Sequence, residues 1–248
     1  MKNNSGIVKI LVLNSCTGER KYSPENLAFA KDLDDISLRM KKEDELKDYK
    51  IPAGEMFVSI QNKLILESVN SLNKDKIQLD LCYISSGYGL LNFDDLIIPY
   101  DINLSALSMN DLDKRSDFLR IHEEVYYKAK NYDLVFFMLG YEALRFLKLP
   151  LDLGEKTKQI FFISPSDEKV LPDNYKIEIV KTGNDEAAKF NITPSELKGF
   201  IFKTICIENQ KENIFNHILT KDHYIDQIMK KYIKDEGKEP DQLQLFSF

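Results

Sequence analysis

The chain reads as an α/β protein whose sheet is mostly parallel, on three observations. Short apolar runs alternate with longer amphipathic or mixed-charge stretches. The clearest of these runs, Leu134 to Leu139, is continuously apolar, as expected of a strand covered on both faces. Each run also ends in a short polar loop with Gly, Ser or Asn, the composition of turns at the carboxyl edge of a parallel sheet. Together these predict a three-layer α/β/α sandwich with a helical C-terminal extension.

The elements follow in order. Ile7 to Leu13 is β-rich and gives way to the polar loop Asn14-Ser15-Cys16-Thr17-Gly18. Arg39 to Lys50 carries dense charge of both signs, the mark of a solvated helix or a mobile insertion. Glu55 to Leu72 repeats Met56, Ile60 and Leu64 every four residues, with Phe57 beside them, and predicts one amphipathic helix. Ile77 to Ile84 is the next strand. Ser105 to Lys130 is mainly helical, with Leu119, Ile121 and Val125 among its apolar positions. Strands follow at Leu134 to Leu139, Ile160 to Ile163 and Lys176 to Val180. Thr193 then caps, and Pro194 opens, a helical region that runs to Lys234. No repeat or low-complexity linker divides the chain. The expected organisation is an α/β domain over residues 1–192, a helical extension over 193–235 and a free tail over 236–248.

Composition narrows the function classes. The 248 residues hold 34 basic and 40 acidic side chains, a net charge of −6. That balance excludes a protein that coats nucleic acid through bulk charge but leaves room for a local basic groove. Cys16, Cys82 and Cys206 are odd in number and widely spaced, which suits a reducing compartment and no disulfide framework. No apolar run is long enough for a bilayer, and the first apolar segment reads as a strand rather than a signal peptide. A soluble, cytoplasmic protein is expected. Phosphate-loop, dinucleotide and zinc-helix signatures and the nucleophile elbow of hydrolases are all missing. His122, His217 and His223 lack metal-ligand spacing, so neither a cofactor nor a metal is expected.

Three loops carry the candidate chemistry. Ser15, Cys16, Thr17, Arg20 and Lys21 offer hydroxyls and cations suited to a phosphate or the polar edge of a base, or form only a turn and helix cap. Cys16 is either a nucleophile or a small packed residue. After the strand ending at Ile84, Gly87 and Gly89 flank Tyr88, a tyrosine able to stack on a nucleobase or to pack on its own loop. Asp94, Asp95 and Asp101 follow closely. They are candidates to orient water or stabilise developing positive charge, or are solvated turn formers. Asp101 leads, because the rigid Pro99-Tyr100 step can aim it inward. Gly140-Tyr141 closes the set, and all three loops are expected to face one cleft.

The segment from Ile84 to Leu104 resembles the signature of the YaaA-like family of bacterial peroxide-stress proteins: Leu-Ser, then Gly-x-Tyr-Gly-x-Leu, a carboxylate, an apolar pair and Pro-Tyr. It is also similar to a related group of domains, some found beside enzymes of deazaguanine base modification. That group shares the Ser15-Cys16 loop, a segment like Ala53 to Gln61, and a strand ending like Phe136 to Tyr141. The resemblance covers roughly residues 7 to 145. It implies a core akin to uracil-DNA-glycosylase-like folds and a DNA-related role, and it carries over no catalytic residue. Where the YaaA signature places basic residues, this chain has Asn92-Phe93-Asp94-Asp95 and Asp101. Direct phosphate contact by that loop is thereby less expected than the reading of a neutral base or sugar.

The last residues hold a second signal. Gln242-Leu243-Gln244-Leu245-Phe246 resembles the short motif by which bacterial DNA enzymes dock on the β sliding clamp. Leu245 and Phe246, with Leu243, would fill an apolar pocket while the Gln242 amide bonds its rim. The other reading is a tail folded back onto the body. Two classes therefore stand: a DNA-associated enzyme acting on a nucleobase or N-glycosidic bond in repair, modification or defence, or a non-catalytic DNA- or partner-binding stress-response factor.

Overall fold

The structure is a computed structural model that describes residues 6–16, 19–72 and 76–233. Among these, the strands and helices run β1 (Val8–Ser15), α1 (Ala30–Asp34), α2 (Ile36–Glu45), β2 (Ile51–Pro52), α3 (Ala53–Met56), α4 (Ile60–Ser71), β3 (Ile77–Ser85), β4 (Gly89–Asn92) and β5 (Leu96–Ile97). There follow α5 (Met109–Phe118), α6 (Ile121–Ala129), β6 (Leu134–Met138), α7 (Tyr141–Phe146), β7 (Lys158–Ile163), β8 (Glu178–Lys181), α8 (Asn184–Phe190), α9 (Pro194–Lys211), α10 (Ile214–Thr220) and α11 (Tyr224–Lys230).

Six strands form one sheet in the order β4-β3-β1-β6-β7-β8, parallel throughout except for β4. The predicted three-layer α/β/α architecture is present. Successive strand residues alternate faces, as the pleat requires. Ile10, Val12, Phe136, Met138, Ile160 and Phe162 join the core under α4 and α9, while Leu11, Leu13, Phe137, Leu139, Phe161 and Ile163 join the core under α5, α6 and α7. The helical segment after residue 193 belongs to the first of these layers. Phe202 of α9 meets Phe136 of β6 edge-on at 5.4 Å, and its neighbours Phe200, Ile205 and Cys206 are buried in the same core.

The sheet order reverses direction at β1, whose neighbours β3 and β6 follow it on opposite sides. The crossovers therefore diverge there, and a crevice opens between the carboxyl ends of β1 and β6.

Two local predictions differ from the fold. The helix expected over Glu55 to Leu72 breaks into α3 and α4. Lys21 N–H donates to Met56 O at 2.9 Å and Val58 N–H to Glu19 O at 3.1 Å, pulling Phe57 and Val58 into extended pairing. Ser59 then caps α4 by accepting from Asn62 N–H. The second difference is at the Gly-Tyr-Gly motif, which turns the chain into the antiparallel edge strand β4, with Gly89 opposite Ser85 at φ +84°.

Candidate functional site

At the β1/β6 switch point lies a cleft of about 770 Å³. The first loop contributes Ser15, Cys16 and Arg20; α4 contributes Gln61; the end of β6 contributes Gly140; and α9 contributes Ser195 and Lys198. Gly140 N–H donates to Ser15 Oγ at 3.0 Å, tying the two strand ends together across the crevice.

Beneath the cleft runs a chain of three amides whose orientations are mutually determined. Asn62 is 1% exposed, and its Nδ2 donates to Gly54 O at 3.1 Å and Phe57 O at 2.6 Å. Backbone carbonyls only accept, so this atom is the nitrogen, and Asn62 Oδ1 is left to accept. It accepts from Tyr83 Oη at 2.8 Å and from Asn14 Nδ2 at 3.2 Å. Burial holds the Tyr83 phenol far above its usual titration range, which keeps it a donor. Asn14 Oδ1 then accepts from Gln61 Nε2 at 2.6 Å. The same nitrogen also donates to Met138 O at 3.0 Å, an independent anchor of the same orientation. Both Gln61 amide hydrogens are thus consumed inside the protein. Its Oε1, to which no described residue donates, is the acceptor left for whatever enters the cleft.

Carboxylates outnumber cations in the cleft, three to two. Arg20 and Lys198 face Glu19, Asp101 and Glu142 along the same lining. Asp101 lies 3.9 Å from the Arg20 guanidinium, with 54% of its side chain exposed against 14% for Arg20. It reaches the rim, not a desolvated pocket. Arg20 lies 5.3 Å over the Tyr100 ring, whose hydroxyl is 2.8 Å from Ser85 Oγ. Burial raises the Tyr100 phenol well above its ordinary value, and the neighbouring Cys16 thiol pushes the same way. Cys16 itself is a half-buried free thiol.

The remaining candidate residues are elsewhere. Ser85 Oγ accepts from Gly87 N–H and Tyr88 N–H at 3.2 and 3.0 Å, folding the motif back over its own strand. Tyr88 packs against Tyr100 at 5.6 Å, has the Arg39 guanidinium 4.5 Å over its ring and accepts from Ile98 N–H. Burial there pushes its phenol up to about 12. A Cβ on Gly87 would meet Leu33 at 2.8 Å and Tyr100 at 3.2 Å, so the glycine is required by protein packing rather than by a ligand. Gly89 pairs in β4. Asp95 accepts from Asn92 N–H at 2.7 Å as a turn former, and Asp94 is exposed beside it. Lys21 pairs with Glu55 at 3.2 Å, and Tyr141 carries Lys169 4.8 Å over its ring. None of these lines the cleft. Thr17, together with Gln242, Leu243, Leu245 and Phe246 of the tail, lies outside the described residues.

Sequence reasoning missed Gln61, Asn62, Asn14, Ser195 and Lys198 as site components. One signal was available for two of them: Asn14 is an amide at the end of an otherwise apolar strand, and Asn62 follows Ser59 at N-cap spacing. Nothing in the sequence set Lys198 apart from other lysines. Among the described residues no group of three or more His, Cys, Asp or Glu side chains is placed to hold a metal ion, and no helix is long and apolar enough to cross a membrane. No protein-family model matches the chain, and no curated protein matches it either.

Proposed function

We propose that the switch-point cleft binds a nucleobase with its sugar, within DNA, and acts on the base or its N-glycosidic bond. The observation that carries this is the amide relay ending at Gln61. A hydrogen-bonded network anchored at the buried Asn62 presents one oriented acceptor to a cleft whose carboxylates outnumber its cations, which suits a group without negative charge that bears an N–H donor, as base edges do. Asp101 on the rim is the carboxylate offered to an oxocarbenium-like centre or to its attacking water, with Arg20 beside it. The clamp-like tail supports delivery to DNA without a basic surface.

The exposure of Asp101 favours a second reading, a DNA- or partner-binding factor without catalysis, because a carboxylate in water exerts little field. One experiment separates the two. Wild type, Asp101→Asn and Gln61→Leu are incubated with DNA carrying normal, oxidised and deazaguanine bases, and binding and base release are both measured. The enzyme reading expects release by wild type, loss of release with retained binding for Asp101→Asn, and weakened binding for Gln61→Leu. Binding by wild type without release or modification anywhere in the panel leaves only the second reading. Binding that is absent throughout removes both.

A further inference from the structure

Lys198 is a nucleophilic side chain in the cleft that neither the amide relay nor the rim pair uses. It stands one helical turn after Ser195 on α9, and both line the crevice. Its Nζ donates to Leu139 O at 2.5 Å, the carbonyl of the residue before Gly140. The amine is therefore held at the carboxyl end of β6, beside a glycine around which a Cβ would meet nothing within 4 Å. Burial lowers its pKa to about 8, while Asp167 opposes that change. An ordinary lysine is almost wholly protonated near neutrality and lacks a free lone pair, whereas this one is neutral in a minor but far larger fraction. The cleft's own carboxylates outnumber its cations, which disfavours an anionic ligand, and the first partner of the amine is a neutral carbonyl.

Resting on the reading that the cleft takes a base and its sugar, we infer that Lys198 Nζ condenses with the C1′ aldehyde of a ring-opened 2-deoxyribose left where a base has been lost. The lone pair of the neutral amine attacks the aldehyde carbon, a C–N bond forms, and the carbonyl electron pair moves to oxygen. A proton passes from nitrogen to that oxygen, giving a carbinolamine. The hydroxyl then takes a proton from solvent, the C–O bond breaks and water leaves as the nitrogen lone pair forms the C=N bond, and loss of the remaining nitrogen proton to solvent completes a neutral imine. Nothing is oxidised or reduced. Open space at Gly140 leaves room for the sugar beside the amine. The aldehyde comes either from an abasic site in DNA or from free deoxyribose released with it, and the same chemistry serves both.

The test is borohydride trapping, which reduces an imine to a stable secondary amine. Wild type, Lys198→Arg and Lys198→Met are each incubated with an abasic-site duplex and, separately, with free 2-deoxyribose. Products are read by denaturing gel and by intact and peptide mass, and duplex binding and thermal melts are recorded in parallel. Arginine keeps the cation and a donor for Leu139 O but forms no such imine. The inference expects a wild-type adduct mapped to Lys198, lost in Lys198→Arg although that variant folds and binds the duplex. An adduct with the free sugar alone upholds the amine's role and assigns free deoxyribose as its source. An adduct that persists in both variants, or maps to another amine, overturns the inference. Wild type that binds the duplex without being trapped by either substrate also overturns it, while the base-and-sugar reading stands. Wild type that binds neither duplex nor sugar brings down both.

Discussion

Asn62 is the residue on which the geometry of the site depends. Its single nitrogen serves two backbone carbonyls, and its oxygen receives Tyr83 and Asn14. Asn62→Ala would leave those buried groups without partners, at a cost of about 2–3 kcal/mol. For a chain of this size the thermal midpoint should fall by about 5–10 °C, measured by calorimetry or circular dichroism. Gln61 ends the same relay at the cleft and has solvent beside it, so Gln61→Leu should cost far less stability while still removing the acceptor. Asn14 and Asn62 are where an apolar strand and an amphipathic helix carry amides at buried positions. Their identity is plain in the sequence. Their partnership is not, because it spans 48 residues and exists only once β1 lies under α4.

At the scale of elements, the glycine-bounded tyrosine and the strand-end glycine exchange roles. Gly87 to Gly89 has the composition of a ligand loop, yet it is a hairpin turn whose missing side chain is replaced by Leu33 and Tyr100. Gly140, read from the same kind of signal, does face open space at the cleft. The two should behave oppositely. Gly87→Ala should destabilise by about 1–2 kcal/mol through overpacking. Gly140→Ala, at a helix N-cap with φ −85°, sets a poorer cap against a less flexible unfolded chain and should change stability by only about a few tenths of a kcal/mol. Its added methyl should nevertheless weaken binding of a nucleoside or an abasic duplex. Paired thermal melts and binding titrations check both, and a Gly87→Ala protein as stable as wild type would contradict the packing described. Composition alone could not separate the two glycines. Which glycine meets ligand and which meets protein depends on where the next strand goes, and β4 returns antiparallel over the edge of β3.

For the whole molecule, acidic net charge and a cleft with more carboxylates than cations mean that the proposed DNA role requires a means of reaching DNA other than a basic face. On the proposed reading, the clamp-like tail motif is that means. Replacing Leu245 and Phe246 with alanine should abolish association with a bacterial β clamp in a pull-down or surface-plasmon measurement, with the thermal midpoint of the body unchanged. A midpoint that drops by several degrees, with no clamp binding by wild type, would place those residues in the fold instead.

The sequence by itself determined the layers: strand lengths, continuous apolarity and helix caps are local properties, and they specify an α/β/α sandwich with the first loop and Gly140 at one edge. It also placed Ser15, Cys16, Arg20, Asp101 and Gly140 among the candidates, all five of which line the cleft. Only the tertiary structure decided the rest. It put Tyr88 in the packing of α2 and Tyr100, left Asp101 on an exposed rim, and brought Gln61 and Lys198 to the switch point from helices far apart in the chain. The physical reason is burial. Whether an amide is oriented, or an amine holds its proton, depends on how much water and which carbonyls surround it, and those surroundings come from segments distant in sequence.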